Sequence, residues 1–112
     1  MKSSHILYGI FLFLFISCSS SRISNRLLNK EAPASFKAKF ETSKGDFVAE
    51  FHRAWSPKAV DRVYQLIKSG FYDDGAIFRV VKDYVAQFGI NNDATLNAFW
   101  EGHKLIDEPV IE

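Results

Sequence analysis

The apolar and polar positions of this chain change rhythm several times. Ile6 to Ile16 (ILYGIFLFLFI) is almost wholly apolar, and residues 19–35 (SSSRISNRLLNKEAPAS) are mostly polar. Residues 36–42 (FKAKFET) then alternate, as a strand with one buried face does. Ser43-Lys44-Gly45-Asp46 is a turn signal, and Phe47 to His52 (FVAEFH) alternates again, so the two runs predict a hairpin. Ser56 stands where a helix cap belongs and Pro57 suits a first turn. Val60, Val63, Tyr64 and Ile67 follow at helical spacing with Leu66 beside them. Lys68 suits the last turn, and Gly70 suits a left-handed residue that ends the helix. After the loop Phe71 to Gly75, the runs Phe78 to Val81 and Tyr84 to Ile90 meet at the polar break Lys82-Asp83 and predict a second hairpin.

Beyond that the rhythm fades. Asn91-Asn92-Asp93 is turn chemistry, Trp100 is an isolated aromatic, and Ile106 to Ile111 reads as the approach to another strand. The expected fold is therefore mainly β with one helix, in the order β-β-α-β-β. Four strands and one helix leave sheet edges and an apolar face uncovered. Eight of the eleven Phe lie in residues 36–112, a generous supply for those few surfaces, so residues 36–112 read as the first part of a larger domain.

The N-terminal apolar run is too short for a bilayer, which needs about 20 residues. With Met1-Lys2 before it and serines after it, it reads as a signal-peptide core. Cys18, the single cysteine, closes that core in FISCSSS. It has no partner for an internal disulfide, and no Cys/His spacing suggests zinc. The run resembles the lipobox of bacterial lipoproteins, in which the cysteine becomes the acylated N-terminus. That resemblance implies a signal peptide at 1–17, lipidation at Cys18 and a tether over 18–35. It also implies residence in the bacterial cell envelope, lipid-anchored and facing the periplasm. Ser19, where an Asp would retain a lipoprotein at the inner membrane, points to the outer one. The alternative is ordinary cleavage nearby, leaving a secreted protein with a free thiol.

Charge divides the chain in the same place. Lys2, Arg22, Arg26 and Lys30 against Glu31 leave the first 35 residues basic, and the remainder carries ten basic against twelve acidic residues. A slightly acidic domain lacks the electrostatic footprint of a nucleic-acid binder. His52 and His103 have no ligand spacing for a metal, Asp73-Asp74-Gly75 lacks the later ligands of a calcium loop, and Ser56 lies in no nucleophile motif.

The second hairpin retains the candidate chemistry. FRVVKDYVAQFGI (78–90) sets Arg79 and, eight positions on, Gln87 among apolar neighbours. The combined string FETSKGDFVAEF, SPKAVDRVYQLIKSGFYDDGAIFRVV and YVAQFGI resembles cyclophilin-type peptidyl-prolyl isomerases, in a form similar to bacterial members, from about Phe36 onward. The resemblance implies a closed antiparallel β-barrel of which residues 36–112 are the first half, incomplete at the C-terminus. It implies that Arg79 is the catalytic arginine, that Gln87 holds the substrate backbone, and that Tyr84 and Val85 form part of a proline pocket. Proline-containing polypeptides are the implied partners, and no cofactor or metal is implied. The sequence departs from many relatives in lacking a His before the Arg and in placing Lys82-Asp83 where Pro-Gly is common.

Overall fold

The computed structural model describes residues 25–109. The segment read as a signal peptide, Cys18 and the last residues of the Ile106–Ile111 run lie outside the described residues. The elements are helix α1 (Asn25–Leu28), strands β1 (Ser35–Thr42) and β2 (Gly45–His52), and a 3₁₀ turn (Arg53–Trp55). Helix α2 (Pro57–Lys68), strands β3 (Arg79–Val81) and β4 (Val85–Gln87) and helix α3 (Ala94–Glu101) follow. Among the described residues no helix is long and apolar enough to cross a membrane.

The first hairpin follows its alternation. Phe36 faces Phe51, Ala38 faces Ala49 and Phe40 faces Phe47, placing the small and aromatic residues on one side of the ladder. The Phe36–Phe51 rings stack at 4.9 Å and Phe40–Phe47 at 4.8 Å. Phe36 meets Tyr64 of α2 edge-on at 5.2 Å. The other side is charged, with Lys39 beside Glu41 and Asp46 at 2.8 and 2.9 Å, exposed pairs that add little stability.

Helix α2 is the hub. Pro57 occupies its first turn, and Gly70 (φ 71°) ends it. There the Gly70 amide donates to Ile67 O and the Phe71 amide to Leu66 O, the paired bonds of a Schellman ending. Its N-terminus departs from the expected cap. The Ser56 side chain accepts nothing from the helix. It donates instead to Glu108, whose carboxylate takes the Lys58 amide at 2.7 Å and the Ala59 amide at 3.2 Å. A full negative charge satisfies two orphan N–H groups at the positive end of the helix dipole better than a hydroxyl satisfies one.

Two polar groups of α2 hold the N-terminal segment. Buried Gln65 donates through Nε2 to Leu28 O and Lys30 O, both at 3.0 Å, and accepts from Arg62 at 3.2 Å. Asp61 accepts two bonds from Arg53, at 2.8 and 2.9 Å, and one from the Ala32 amide at 2.8 Å. Ala32 is buried, so the later part of the segment read as tether lies against the domain.

The fold class needs one correction: the described residues hold three α-helices where one was expected. Asn91-Asn92-Asp93 leads into α3, with Asp93 accepting from the Thr95 and Leu96 amides at 2.8 and 3.3 Å. Trp100 is not isolated: it is buried, with the Arg62 guanidinium 5.1 Å from its ring centroid. Eight residues give little more than two turns, too few for a 3.6-residue rhythm to stand out. The strands form two separate two-stranded sheets with no closed barrel among the described residues, which is consistent with the expected incomplete barrel. Residues 104–109 form no strand; Glu108 caps α2 instead.

Candidate functional site

The second hairpin is short, with three residue pairs: Arg79 with Gln87, Val80 with Ala86, and Val81 with Val85. Its turn differs from the expected two-residue break. Lys82, Asp83 and Tyr84 all lie between the last paired residues, Asp83 takes the left-handed conformation at φ 59°, and the Tyr84 amide closes on Val81 O at 3.0 Å. Aspartate tolerates that conformation better than most residues, which is how Lys-Asp turns a chain without glycine. Tyr84 consequently sits on the turn, 83% exposed, instead of opening the fourth strand.

The register settles a question that spacing leaves open. Residues directly opposite in an antiparallel ladder project from the same face, about 4.5–5.5 Å apart at Cα. Arg79 and Gln87 are such a pair, and the alternation adds Val81 and Val85 to their face. The Phe78 amide donates to Gln87 O at 3.0 Å and closes the ladder beneath them. The Arg79 side chain makes no hydrogen bond or ion pair with any described residue, so its fork is uncommitted. It is also exposed, as is Gln87, while Val85 is half-buried. The apolar neighbours that surround Arg79 along the chain do not enclose it in space, because Phe78 and Val80 belong to the other face.

That other face looks into a hollow of about 1030 Å³ lying between β1–β2 and the 72–77 loop. Its walls include Phe40, Phe47, Tyr72, Val80 and Phe88, but neither Arg79 nor Gln87. Phe88 packs edge-on against Phe40 and Tyr72, both at 5.7 Å. Burial pushes the Tyr72 phenol up, an uncharged ring in an apolar wall. The hairpin thus separates two environments: an open, aromatic-lined hollow and an outer face carrying one guanidinium, one carboxamide and two valines.

Asn91 and Asn92, which follow β4, were read only as turn residues, yet they bind the carbonyls of Phe71 and Asp74 at 2.8 and 3.1 Å. The only sequence signal for this is the Asn-Asn-Asp cluster itself, which does not reveal which carbonyls its amides will meet.

The outer face alone names no family; sequence similarity does. Residues 37–109 match the family model for cyclophilin type peptidyl-prolyl cis-trans isomerase/CLD. The chain is similar to the peptidyl-prolyl cis-trans isomerase CYP23 of Arabidopsis thaliana, at 31% identity over 74% of this chain and 34% of that protein. It is also similar to the peptidyl-prolyl cis-trans isomerase cypE of Dictyostelium discoideum, at 37% identity over 44% of this chain and 31% of that protein. The chain belongs to the cyclophilin-type peptidyl-prolyl cis-trans isomerase family. It spans about a third of the length of these curated relatives. No solved structure matches it significantly.

Proposed function

We propose that this chain carries the catalytic face of a peptidyl-prolyl cis-trans isomerase that assists protein folding, with Arg79 as catalytic residue. The supporting observation is the register that sets Arg79 directly opposite Gln87, on the face that also carries Val81 and Val85. Isomerisation before proline is slow because amide resonance imposes a barrier of about 18–20 kcal/mol. Catalysis requires only that the twisted amide be favoured over the planar one. In the twisted amide the prolyl nitrogen regains a lone pair and accepts a hydrogen bond. A guanidinium supplies a planar, permanently charged donor for it. Gln87 donates to and accepts from the substrate backbone on one side of the rotating bond, and Val85 with Tyr84 packs against the pyrrolidine ring.

The test is cis–trans exchange of a short Ala-Pro peptide, followed by NMR with the full chain and with a form extended by further strands of the family's fold. Arg79→Ala lowers the rate in whichever form is active by about 10²-fold, the cost of losing one transition-state donor. An unchanged rate would remove Arg79 from the role. A second reading, weak proline-peptide binding without turnover, is favoured by the exposure of Arg79 and Tyr84. It gives saturable shifts at Val81 and Val85 with no accelerated exchange in the 112-residue chain.

The proposed setting is the bacterial cell envelope, with residues 1–17 a signal peptide, Cys18 acylated and the domain facing the periplasm, at the outer membrane in preference to the inner. The support is the order of the basic start, the eleven-residue apolar run Ile6–Ile16, Cys18 and Ser19. Cys18→Ala then abolishes incorporation of a labelled fatty acid and releases the protein from the membrane fraction. Labelling that survives the substitution overturns the assignment.

A further inference from the structure

The β3–β4 hairpin forms its own two-stranded sheet and shares no ladder with β1–β2. Three residue pairs are too few to fix their own direction in space, so the presentation of Arg79 and Gln87 is decided where the hairpin enters and leaves the body. Those two points lie together. Gly75 stands four residues before Arg79 and Asn91 four residues after Gln87. A Cβ added to Gly75 would lie a tight 3.0 Å from Tyr72 O and in ordinary contact with Ile90 O at 4.0 Å, so the incoming and outgoing segments run side by side.

Asn91 closes this base with both ends of its amide. Nδ2 donates to Phe71 O at 2.8 Å, and Oδ1 accepts from the Asp93 amide at 2.8 Å, so its partners fix which end is which. Its backbone is held in turn by Asn97 of α3, which accepts from the Asn91 amide at 2.9 Å and donates to Asn91 O at 2.6 Å. Asn92 adds a second, exposed bond to Asp74 O at 3.1 Å. Phe71 is buried and its amide closes the end of α2 on Leu66 O, so the Asn91 bond ties the outgoing strand to the exit of α2.

We infer that Asn91, backed by Asn97, is a positioning residue that staples the exit of the β3–β4 hairpin to the exit of α2 and so fixes how Arg79 and Gln87 are presented to substrate. The consequence for turnover rests on the reading of Arg79 and Gln87 as the working pair. The staple itself is tested independently of that reading. Backbone hydrogen exchange on the full chain reads the Phe78 amide, which bonds Gln87 O under the pair, against the amides of β1–β2. In Asn91→Ala the Phe78 amide exchanges about tenfold faster, the scale of one lost hydrogen bond, while β1–β2 stays as protected as before. Asn92→Ala shows the same local pattern more weakly and serves as the reporter if Asn91→Ala does not fold. Unchanged exchange at Phe78, or loosening spread equally over both hairpins in Asn92→Ala, overturns the inference. In the form that isomerises proline peptides, Asn91→Ala lowers kcat with little change in KM. If the exchange result holds and kcat does not fall, the staple stands and the role of the pair does not.

Discussion

The two hairpins of this chain have the same topology and opposite economies of contact. The first runs through eight residue pairs, turns its aromatic face onto α2 and Phe88, and carries its charges on the far side. The second has three pairs, all its strand residues except Val85 are exposed, and it depends on Phe88 and on asparagine amides at its base. One is scaffold and the other carries the candidate chemistry. The difference teaches that stability and the candidate chemistry lie on separate strands here: the ring stacks that hold β1–β2 contribute nothing directly to Arg79, and Arg79 contributes nothing to them. Substitutions in the first region are therefore read in unfolding, and substitutions in the second in turnover.

The largest effect on stability belongs to Phe40, which stacks on Phe47 and meets Tyr72 and Phe88 edge-on. Phe40→Ala lowers the unfolding free energy by about 2–3 kcal/mol in urea titration, somewhat under the cost of a fully buried ring. A loss as large from Tyr84→Ala would erase the distinction between the hairpins.

Asp61→Ala comes next. It leaves the Arg53 fork and the Ala32 amide without their shared acceptor, for a loss of about 1–3 kcal/mol. It also loosens the chain around Ala32, while Gln65 still holds Leu28 and Lys30, and limited proteolysis detects this as faster cleavage near Ala32.

Acid follows from the same contacts. The hydrogen-bonded Arg53 fork, helped by the Ala32 amide, holds the Asp61 carboxyl below its usual range. The Ser56 hydroxyl, then the Lys58 and Ala59 amides, hold Glu108 below its own. Both folded-state values are depressed, so both carboxylates stabilise the fold above the ordinary carboxylate range of about 4, and that contribution is lost as pH falls through the depressed values. The urea midpoint therefore drops as pH falls below about 5, and Asp61→Asn flattens that drop. A midpoint independent of pH in this window contradicts the two clamps.

The smallest effect is expected at the turn. Tyr84→Ala changes unfolding by no more than about 0.5 kcal/mol, as at other exposed sites away from special contacts. Its influence is confined to peptide binding, visible as weaker saturation in an NMR titration.

Much of this division is legible in the sequence, and the reasons are local. Alternation over FKAKFET and FVAEFH groups Phe36 with Phe40 and Phe47 with Phe51 before any coordinate is known, and the register then puts both pairs on one face. Pro57 and Gly70 mark the ends of α2 through their own backbone preferences. The site pair is half legible. Their separation brings Arg79 and Gln87 near each other, but the shared face depends on a turn of three residues in place of two, which the left-handed Asp83 decides. What escapes the sequence is long-range: Glu108 lies 50 residues from the amide it caps, and Asn91 lies 20 from the carbonyl it binds. No short window contains both partners of either bond. Helix α3 escapes for another reason, since its cap resembles an ordinary turn and its eight residues are too few to show a period.

The central claim is that Arg79 favours the twisted amide over the planar one, and the most direct test separates kcat from KM. Exchange NMR on an Ala-Pro peptide, in the active form of the protein, gives both values for Arg79 and for Arg79→Ala. The account predicts that kcat falls by about 10²-fold with KM nearly unchanged, the mark of an interaction made only in the transition state. A raised KM with kcat intact would show that Arg79 merely holds the ground-state peptide, and would contradict the account.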